Sequence, residues 1–238
     1  QIGIIGTGMV GSAIAYSLAS EGSAEKLILI DANKERAIAE AMDISHSTPF
    51  TFGARVVAGD YKDLKDAGII VITAGANQKP GETRLDLLEK NVGIFKSIIP
   101  EVVKYAPNAI LVIAANPVDI MTEVTLKLSG FPKNRVFGTD VLDSARFRSI
   151  LGRHLGISPK SVHANVIGEH GDSEVLVWSS AVAGTTCVER LAGQIGKDLD
   201  KVVKGSIDNE VRISAYTIIK GKGSTYFGIA SATQYICN

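Results

Sequence analysis

The sequence has 238 residues, enough for one large domain or two small ones with a sizeable buried core. It holds 25 Lys plus Arg and 25 Asp plus Glu, and this balance argues against a broad surface for nucleic acid or an anionic membrane. Hydrophobic residues make up 45% of the chain, as in folded globular proteins.

The cysteine content and the apolar runs indicate the cellular environment. Cys187 and Cys237 have no metal-like spacing and are too few for a disulfide framework, which favours a reducing cytosol. The opening residues QIGIIG have no basic region or cleavage site before them, and no apolar run reaches the ~18 residues that span a bilayer. We expect a cytoplasmic protein without a membrane segment or a metal site.

Strand and helix patterns alternate along the first 140 residues. Strands are predicted near 2–6, 27–31, 54–57, 69–73, 110–115 and 135–138, with helices near 9–20, 33–45, 84–105 and 117–128. The strand runs are continuously apolar, as in strands that are covered on both faces. This alternation predicts an α/β fold with a doubly wound parallel sheet.

The pattern changes beyond residue 140. A helix is predicted near 143–154, strands near 161–167 and 174–183, and a long helix near 196–220. These elements predict a smaller α+β domain, so we expect one domain over 1–140 and a second over 141–238.

A glycine-rich turn follows the first strand. Gly6, Gly8 and Gly11 have the spacing GxGxxG between a strand and a helix, where a pyrophosphate can approach the backbone and the helix N-terminus. Asp31 ends the next strand, where a carboxylate accepts ribose hydroxyls and repels a 2′-phosphate. The motif favours NAD over NADP, while flavin binding and a simple tight turn stay open at this point.

Polar residues follow later strands, at the sheet edge where such folds bind ligands. Arg84 comes after the polar loop TAGANQKPGET, and Asn116 stands before a proline directly after a strand. Each has a simpler interpretation, as a surface ion pair and as a turn residue respectively.

Three charged residues of the second domain suit acid–base chemistry. Asp143 and Arg146 are three residues apart on one helix face, and His170 lies in the stretch IGEHGDSE. A carboxylate can orient an imidazole and raise its pKa, while arginines clamp a carboxylate or polarise a carbonyl. Such a set suits hydride and proton transfer on an α-keto acid, although a helix salt bridge and a solvated turn would explain the residues equally well.

The chain resembles the L-lactate/malate dehydrogenase superfamily over essentially its whole length, and within it the bacterial L-lactate dehydrogenases. The matching stretches are GTGMVGSAIA, AGANQKPGETRLDLLEKN, NPVDIMT, VLDSARFR, SVHANVIGEHGDSE and GKGSTYFGIA. The resemblance implies a Rossmann domain that binds NAD, followed by a substrate domain.

The resemblance also implies a role for each matching residue. His170 would donate and accept the proton, Asp143 would orient it, and Arg84 would polarise the substrate carbonyl. Arg146 would bind the substrate carboxylate, with Asn116 and Thr225 also lining the substrate pocket. The matching cofactor positions are Gly6, Gly8, Val10, Gly11, Asp31, Arg36, Tyr61, Gly75, Ala76, Ser97 and Asn116.

The choice of substrate depends on Gln78. Relatives that act on malate usually have an arginine there to pair with the second carboxylate of oxaloacetate, and a neutral glutamine fits the methyl group of pyruvate instead. Lactate is therefore the expected product, with malate as the alternative.

Arg148 and His163 match positions that bind fructose 1,6-bisphosphate in bacterial lactate dehydrogenase tetramers. The resemblance thus implies an allosteric homotetramer, while a surface arginine and a strand-edge histidine are the simpler interpretation.

The chain departs from the family in two places. Relatives usually continue for roughly seventy more residues, so the substrate domain looks incomplete at its C-terminus, and the turn FGTDVLD looks one residue short, which could disturb the approach to Asp143. A catalytically silent nucleotide-binding subunit and, more weakly, sugar-phosphate or glycosidase chemistry are the competing hypotheses.

Overall fold

The computed structural model describes residues 1–76 and 84–238, with residue 84 described for its backbone only. The chain forms two compact units. The first contains Gln1–Thr139 and Tyr226–Asn238, and the second contains Asp140–Thr225. No helix of the described residues is both long and apolar enough to cross a membrane.

The first unit is built on a six-stranded parallel sheet. Its strand order is β3-β2-β1-β4-β5-β6. This is the doubly wound order, in which strands are added on one side of β1 as far as β3 and then, from β4 onwards, on its other side. The strands are β1 (Ile2–Ile5), β2 (Lys26–Ile30), β3 (Arg55–Ala58), β4 (Ile69–Ile72), β5 (Ile110–Ile113) and β6 (Val136–Gly138). The intervening helices are α1 (Met9–Ser20), α2 (Lys34–Ser47), α3 (Arg84–Tyr105) and α4 (Val118–Ser129).

Both faces of this sheet are buried, which explains the continuous apolar runs. Successive strand side chains point to opposite faces. Accordingly Ile5 belongs to one buried cluster with Phe95 of α3, whereas Ile4 belongs to another with Ile14 of α1. The sequence prediction of a doubly wound parallel sheet is confirmed.

The second unit combines helices with short antiparallel strands around a core that includes Phe147, Leu151 and Val211. Its strands form one sheet of three and one of two. The elements are α5 (Val141–Leu155), β7 (Val162–His163), β8 (Val166–Ile167), β9 (Val175–Leu176), β10 (Val182–Ala183), β11 (Thr186–Cys187), α6 (Val188–Gln194) and α7 (Lys201–Lys222).

The sequence predictions for this unit were coarser than the structure. The predicted strands near 161–167 and 174–183 are each divided into two short strands, and the predicted helix near 196–220 begins at Lys201. It begins there because the Asp200 side chain accepts a hydrogen bond from the Val203 N–H at 2.8 Å, while Gly196 has a positive φ of 68°. Helix α6 and strand β11 were not predicted.

The last helix, α8 (Phe227–Cys237), returns to the first unit. It packs on α1, and Ala230 is buried in the same cluster as Ile14. The sequence analysis had placed residues 226–238 in the second domain. The difference arises because the apolar face of α8 packs on α1.

Candidate active site

The glycine loop has the geometry that the GxGxxG motif requires. Gly6 has a φ of +99°, a left-handed conformation that favours glycine, and a Cβ there would lie 2.6 Å from the Ala74 nitrogen. A Cβ on Gly11 would lie 1.9 Å from the Gly6 carbonyl oxygen, so only glycine lets α1 approach the loop this closely. A Cβ on Gly8, by contrast, would meet no atom within 4 Å.

Asp31, directly after β2, is hydrogen-bonded to the glycine loop through Thr7. Its Oδ2 accepts hydrogen bonds from the Thr7 N–H at 2.6 Å and the Thr7 hydroxyl at 3.0 Å, and its Oδ1 accepts from the Asn33 N–H at 2.9 Å. Burial alone would raise the pKa of Asp31, but these hydrogen bonds lower it below its ordinary value. The carboxylate is therefore ionised at neutral pH and held beside the glycine loop.

These residues fit a dinucleotide. The open space beside Gly8 admits a pyrophosphate against the backbone at the start of α1, and the fixed charge of Asp31 favours a ribose diol over a 2′-phosphate. Val10 lies partly buried in the first turn of α1. Arg36 lies in α2, where its Nε is 3.8 Å from Glu40 Oε1.

The Asn91 side chain contacts the segments that follow β4 and β5, which contain Gly75, Ala76 and Asn116. Asn91 of α3 is 2% exposed; its Oδ1 accepts from the Ala76 N–H and its Nδ2 donates to the Asn116 carbonyl, both at 2.7 Å. Sequence analysis missed Asn91. The available signal was a lone polar residue, three positions before Ile94, on the apolar face of a predicted helix.

Two further positions suggested for the cofactor lie elsewhere in the first unit. Tyr61 is partly buried against the core cluster that contains Phe95, and burial raises the pKa of its hydroxyl. Ser97 is exposed on α3 and donates to the Ile94 carbonyl of its own helix at 2.7 Å. Six residues, about 9 Å of helix, separate it from Asn91.

In the second unit, α5 and the turn after β8 bring Asp143, Arg146 and His170 together. Asp143 lies in the first turn of α5, and its side chain is 4% exposed. Arg146 lies one turn later and donates from Nη1 to Asp143 Oδ1 at 2.6 Å. The other carboxylate oxygen, Oδ2, is hydrogen-bonded to Nδ1 of His170. The imidazole therefore meets the buried carboxylate through Nδ1.

The electrostatics of this cluster suit a proton donor. The hydrogen bond with Asp143 is the main cause that raises the pKa of His170, against the opposing effects of burial and Arg146. Burial would raise the pKa of Asp143, but its bond with His170 and the charge of Arg146 lower it below the ordinary value. An ionised carboxylate therefore stabilises an imidazolium.

A second buried acid, Glu174, lies near this cluster and was also missed from the sequence. It is 4% exposed, and its Oε1 has no hydrogen-bond partner within residues 1–76 and 84–238. Burial and the charge of Asp143 raise its pKa, while Arg212 and His170 act in the opposite direction. Arg212 of α7 donates to the Glu174 carbonyl at 2.6 Å, which anchors the chain just after His170.

The remaining predicted residues of the second unit have defined positions. Arg148 donates from Nε to the Ala164 carbonyl at 2.9 Å and from Nη2 to Asn165 Oδ1 at 3.0 Å, so its guanidinium lies beside β7. His163 is exposed on β7. Thr225 is partly buried in the segment between α7 and α8.

Gln78 and the side chain of Arg84 lie outside the described residues. Their predicted roles therefore depend on the sequence alone.

The short turn FGTDVLD does not displace Asp143. Strand β6 ends at Gly138, the Thr139 hydroxyl donates to the Ile113 carbonyl at 3.1 Å, and α5 begins at Val141. The Asp143 carboxylate still contacts both His170 and Arg146. The disturbance that the shorter turn suggested is absent at this residue.

Comparisons with known proteins agree with both units. The family model described as lactate/malate dehydrogenase, NAD binding domain, matches residues 1–138, and the one described as lactate/malate dehydrogenase, alpha/beta C-terminal domain, matches residues 140–238. An L-lactate dehydrogenase of Allorhizobium ampelinum is 53% identical over 99% of this chain and 76% of its own length. One of Thermus aquaticus is 49% identical over 97% and 75%.

A solved structure of a minor L-lactate dehydrogenase from Enterococcus mundtii, in its ligands-bound form, superposes with a TM-score of 0.95 at 40% identity, over 99% of this chain and 76% of that one. A lactate dehydrogenase from a Medee basin deep-sea metagenome library gives 0.94 at 40% identity over the same shares. By these matches across both units, the chain belongs to the lactate/malate dehydrogenase family.

Proposed function

We propose that the chain is an NAD-dependent L-lactate dehydrogenase, which reduces pyruvate to L-lactate and catalyses the reverse reaction. The observation that carries the proposal is the arrangement of Asp143, Arg146 and His170 around one buried carboxylate. A protein that only bound nucleotide would have no use for an imidazole held in this way, so the set disfavours a catalytically silent subunit.

NADH, held by the glycine loop and Asp31, would supply the hydride that the carbonyl carbon of the substrate receives. His170, protonated and stabilised by Asp143, gives a proton from Nε2 to the carbonyl oxygen as charge develops there. In the reverse direction the neutral imidazole removes the proton from the hydroxyl of lactate. Pyruvate, NADH and a proton thus yield lactate and NAD.

Arg146 is suited to hold the substrate carboxylate. Arg146 donates to Asp143 from Nη1, and a guanidinium carries five N–H donors, enough to bind a second carboxylate as well. In this proposal Arg84 polarises the carbonyl, and Asn116 and Thr225 line the pocket, as the family resemblance implies.

The preference for pyruvate over oxaloacetate is assigned to Gln78. A neutral amide leaves the second carboxylate of oxaloacetate without a counter-charge, and burying such a charge is costly. NADH absorbance is to be followed with pyruvate and oxaloacetate in separate assays. If oxaloacetate is turned over faster than pyruvate, the product must be reassigned from lactate to malate. If neither keto acid is turned over, the proposal is contradicted.

A homotetramer activated by fructose 1,6-bisphosphate is the finer part of the proposal. Supporting it, the Arg148 guanidinium is held beside β7, the strand that carries the exposed His163. Arginine suits phosphate by charge and shape, and a histidinium would strengthen binding at mildly acidic pH. Substrate affinity unchanged by the sugar bisphosphate between pH 6 and 7.5 would reject activation. A cytoplasmic location, as the sequence suggested, completes the proposal.

A further inference from the structure

Asn91 is a buried amide that joins two strand ends of the first unit. It projects from α3, is 2% exposed, and makes two hydrogen bonds of 2.7 Å to main-chain groups. Its Oδ1 accepts from Ala76, four residues beyond β4, and its Nδ2 donates to Asn116, three residues beyond β5.

The two strands are paired only as far as Ile72 and Ile113. Beyond that pair, Asn91 links Ala76 to Asn116 through its own side chain. It meets an N–H on one side and a carbonyl on the other, so the link needs a group that both accepts and donates. An amide has both functions at this length, whereas a carboxylate only accepts and an alkyl group does neither.

The neighbouring backbone is fitted closely to this amide. A Cβ on Gly75 would lie 3.4 Å from Asn91 Oδ1, in van der Waals contact with the amide. The amide therefore fixes the spacing between two segments that the family resemblance assigns to the cofactor and the substrate. A buried amide left with unmade bonds would be costly, so the two contacts persist in the folded protein.

We propose that Asn91 is a positioning residue for the nicotinamide end of the NAD site, acting through the main chain of Ala76 and Asn116. The inference depends on the proposed function, because the roles of Ala76 and Asn116 depend on it. The glycine loop and Asp31 make their own contacts and do not involve Asn91. Loss of the amide should therefore affect one end of the cofactor only.

Two variants separate the contacts. Asn91→Leu keeps the shape and removes both hydrogen bonds. Asn91→Asp keeps the acceptor for Ala76 and turns a carboxylate oxygen towards the Asn116 carbonyl. The matched control is Thr125→Val in α4, since Thr125 is fully buried and its hydroxyl donates only to its own helix, to the Met121 carbonyl at 2.7 Å.

The measurement compares NADH with ADP-ribose, which lacks the nicotinamide, by calorimetry, together with pyruvate turnover and thermal unfolding. In both Asn91 variants we expect Kd for NADH to rise and kcat to fall by at least ~10-fold each, about 1.4 kcal/mol. Kd for ADP-ribose should stay within about twofold, and Thr125→Val should change only the unfolding temperature.

Equal losses for NADH and ADP-ribose, or no loss for either, would overturn the role of Asn91. An unaltered protein that binds NADH no better than ADP-ribose would do the same. Absence of pyruvate turnover in the unaltered protein, with the NADH-specific loss still present, would contradict the proposed function while supporting the role of Asn91.

Discussion

Replacing Asp143 with asparagine tests the acid–base pair without changing the size of the side chain. The wild-type carboxylate accepts from His170 through one oxygen and from Arg146 through the other, in a site where it is 4% exposed. The amide is neutral, and its nitrogen cannot accept a hydrogen bond. The variant therefore loses the charge that stabilises the imidazolium and one of the two contacts that orient its partners.

The size of the effect follows from these two bonds. A hydrogen bond to a charged group contributes about 1.5–3 kcal/mol. Losing the bond to His170 alone should reduce kcat/KM by about 10- to 100-fold, since each 1.36 kcal/mol is a factor of ten in rate. If Arg146 also loses its fixed position, the reduction should reach about 10²- to 10⁴-fold, the usual range for acid–base catalysis.

The assay follows NADH absorbance during pyruvate reduction, with NADH binding measured separately. Asp208→Asn is the matched control, because Asp208 accepts from Trp178 Nε1 at 2.8 Å in the same unit and has no described contact with the His170 imidazole. We expect NADH binding to survive in both variants, and the same pattern in His170→Ala. An Asp143→Asn protein within threefold of the wild-type rate would refute the reasoning, as would wild-type turnover in His170→Ala.

Three further outcomes are expected. The stability difference between the wild type and Asp143→Asn should be largest between pH 3.8 and 6.5, the ordinary pKa values of aspartate and histidine. The lowered pKa of Asp143 stabilises the fold above pH 3.8, and the raised pKa of His170 stabilises it below pH 6.5. The difference in unfolding temperature should disappear as pH falls below this window, and should shrink to the part that Arg146 contributes as pH rises well above it; a constant difference from pH 3 to 9 would contradict the linkage. Asp31→Ser should raise kcat/KM with NADPH relative to NADH by at least ~10-fold, since it removes the charge that repels a 2′-phosphate, and an unchanged ratio would oppose that role for Asp31. Gln78→Arg should move kcat/KM from pyruvate towards oxaloacetate by at least ~10²-fold, roughly 2.7 kcal/mol, whereas equal small changes for both keto acids would place the residue away from the substrate.

The sequence predicted the first unit better than the second for a physical reason. Buried parallel strands such as β1 and β4 are continuously apolar, and the helices between them are long, so each element carries a strong pattern. The strands of the second unit are two residues long, too short for any periodicity. The position of α8 depends on which apolar surface it covers. This is decided by packing between distant parts of the chain, and the pattern of its own residues does not predict it.

The residues of the candidate site likewise fall into those that the sequence predicted and those that it did not. His170, Asp143 and Arg146 could be found because their chemistry is unusual for their context, and the family resemblance then suggested their roles. Asn91 and Glu174 were missed, since a lone asparagine on the apolar face of a helix is a weak signal and a single glutamate after a turn has no sequence signature. Their burial and their neighbours become visible only when the chain is folded.

The packing of α8 on α1 has a consequence for biosynthesis. Beside this contact, Gln234 Nε2 of α8 donates a hydrogen bond to Ser23 Oγ, three residues beyond the end of α1 and 211 positions away in the chain. At ribosomal speeds of about 5–20 residues per second, α1 waits roughly 10–40 s for the helix that covers it. Ile14 and its neighbours are left partly uncovered during that interval, while the whole second unit is being made. The nascent chain therefore exposes apolar residues of α1 during this interval, and a chaperone that binds apolar helices would act on this helix.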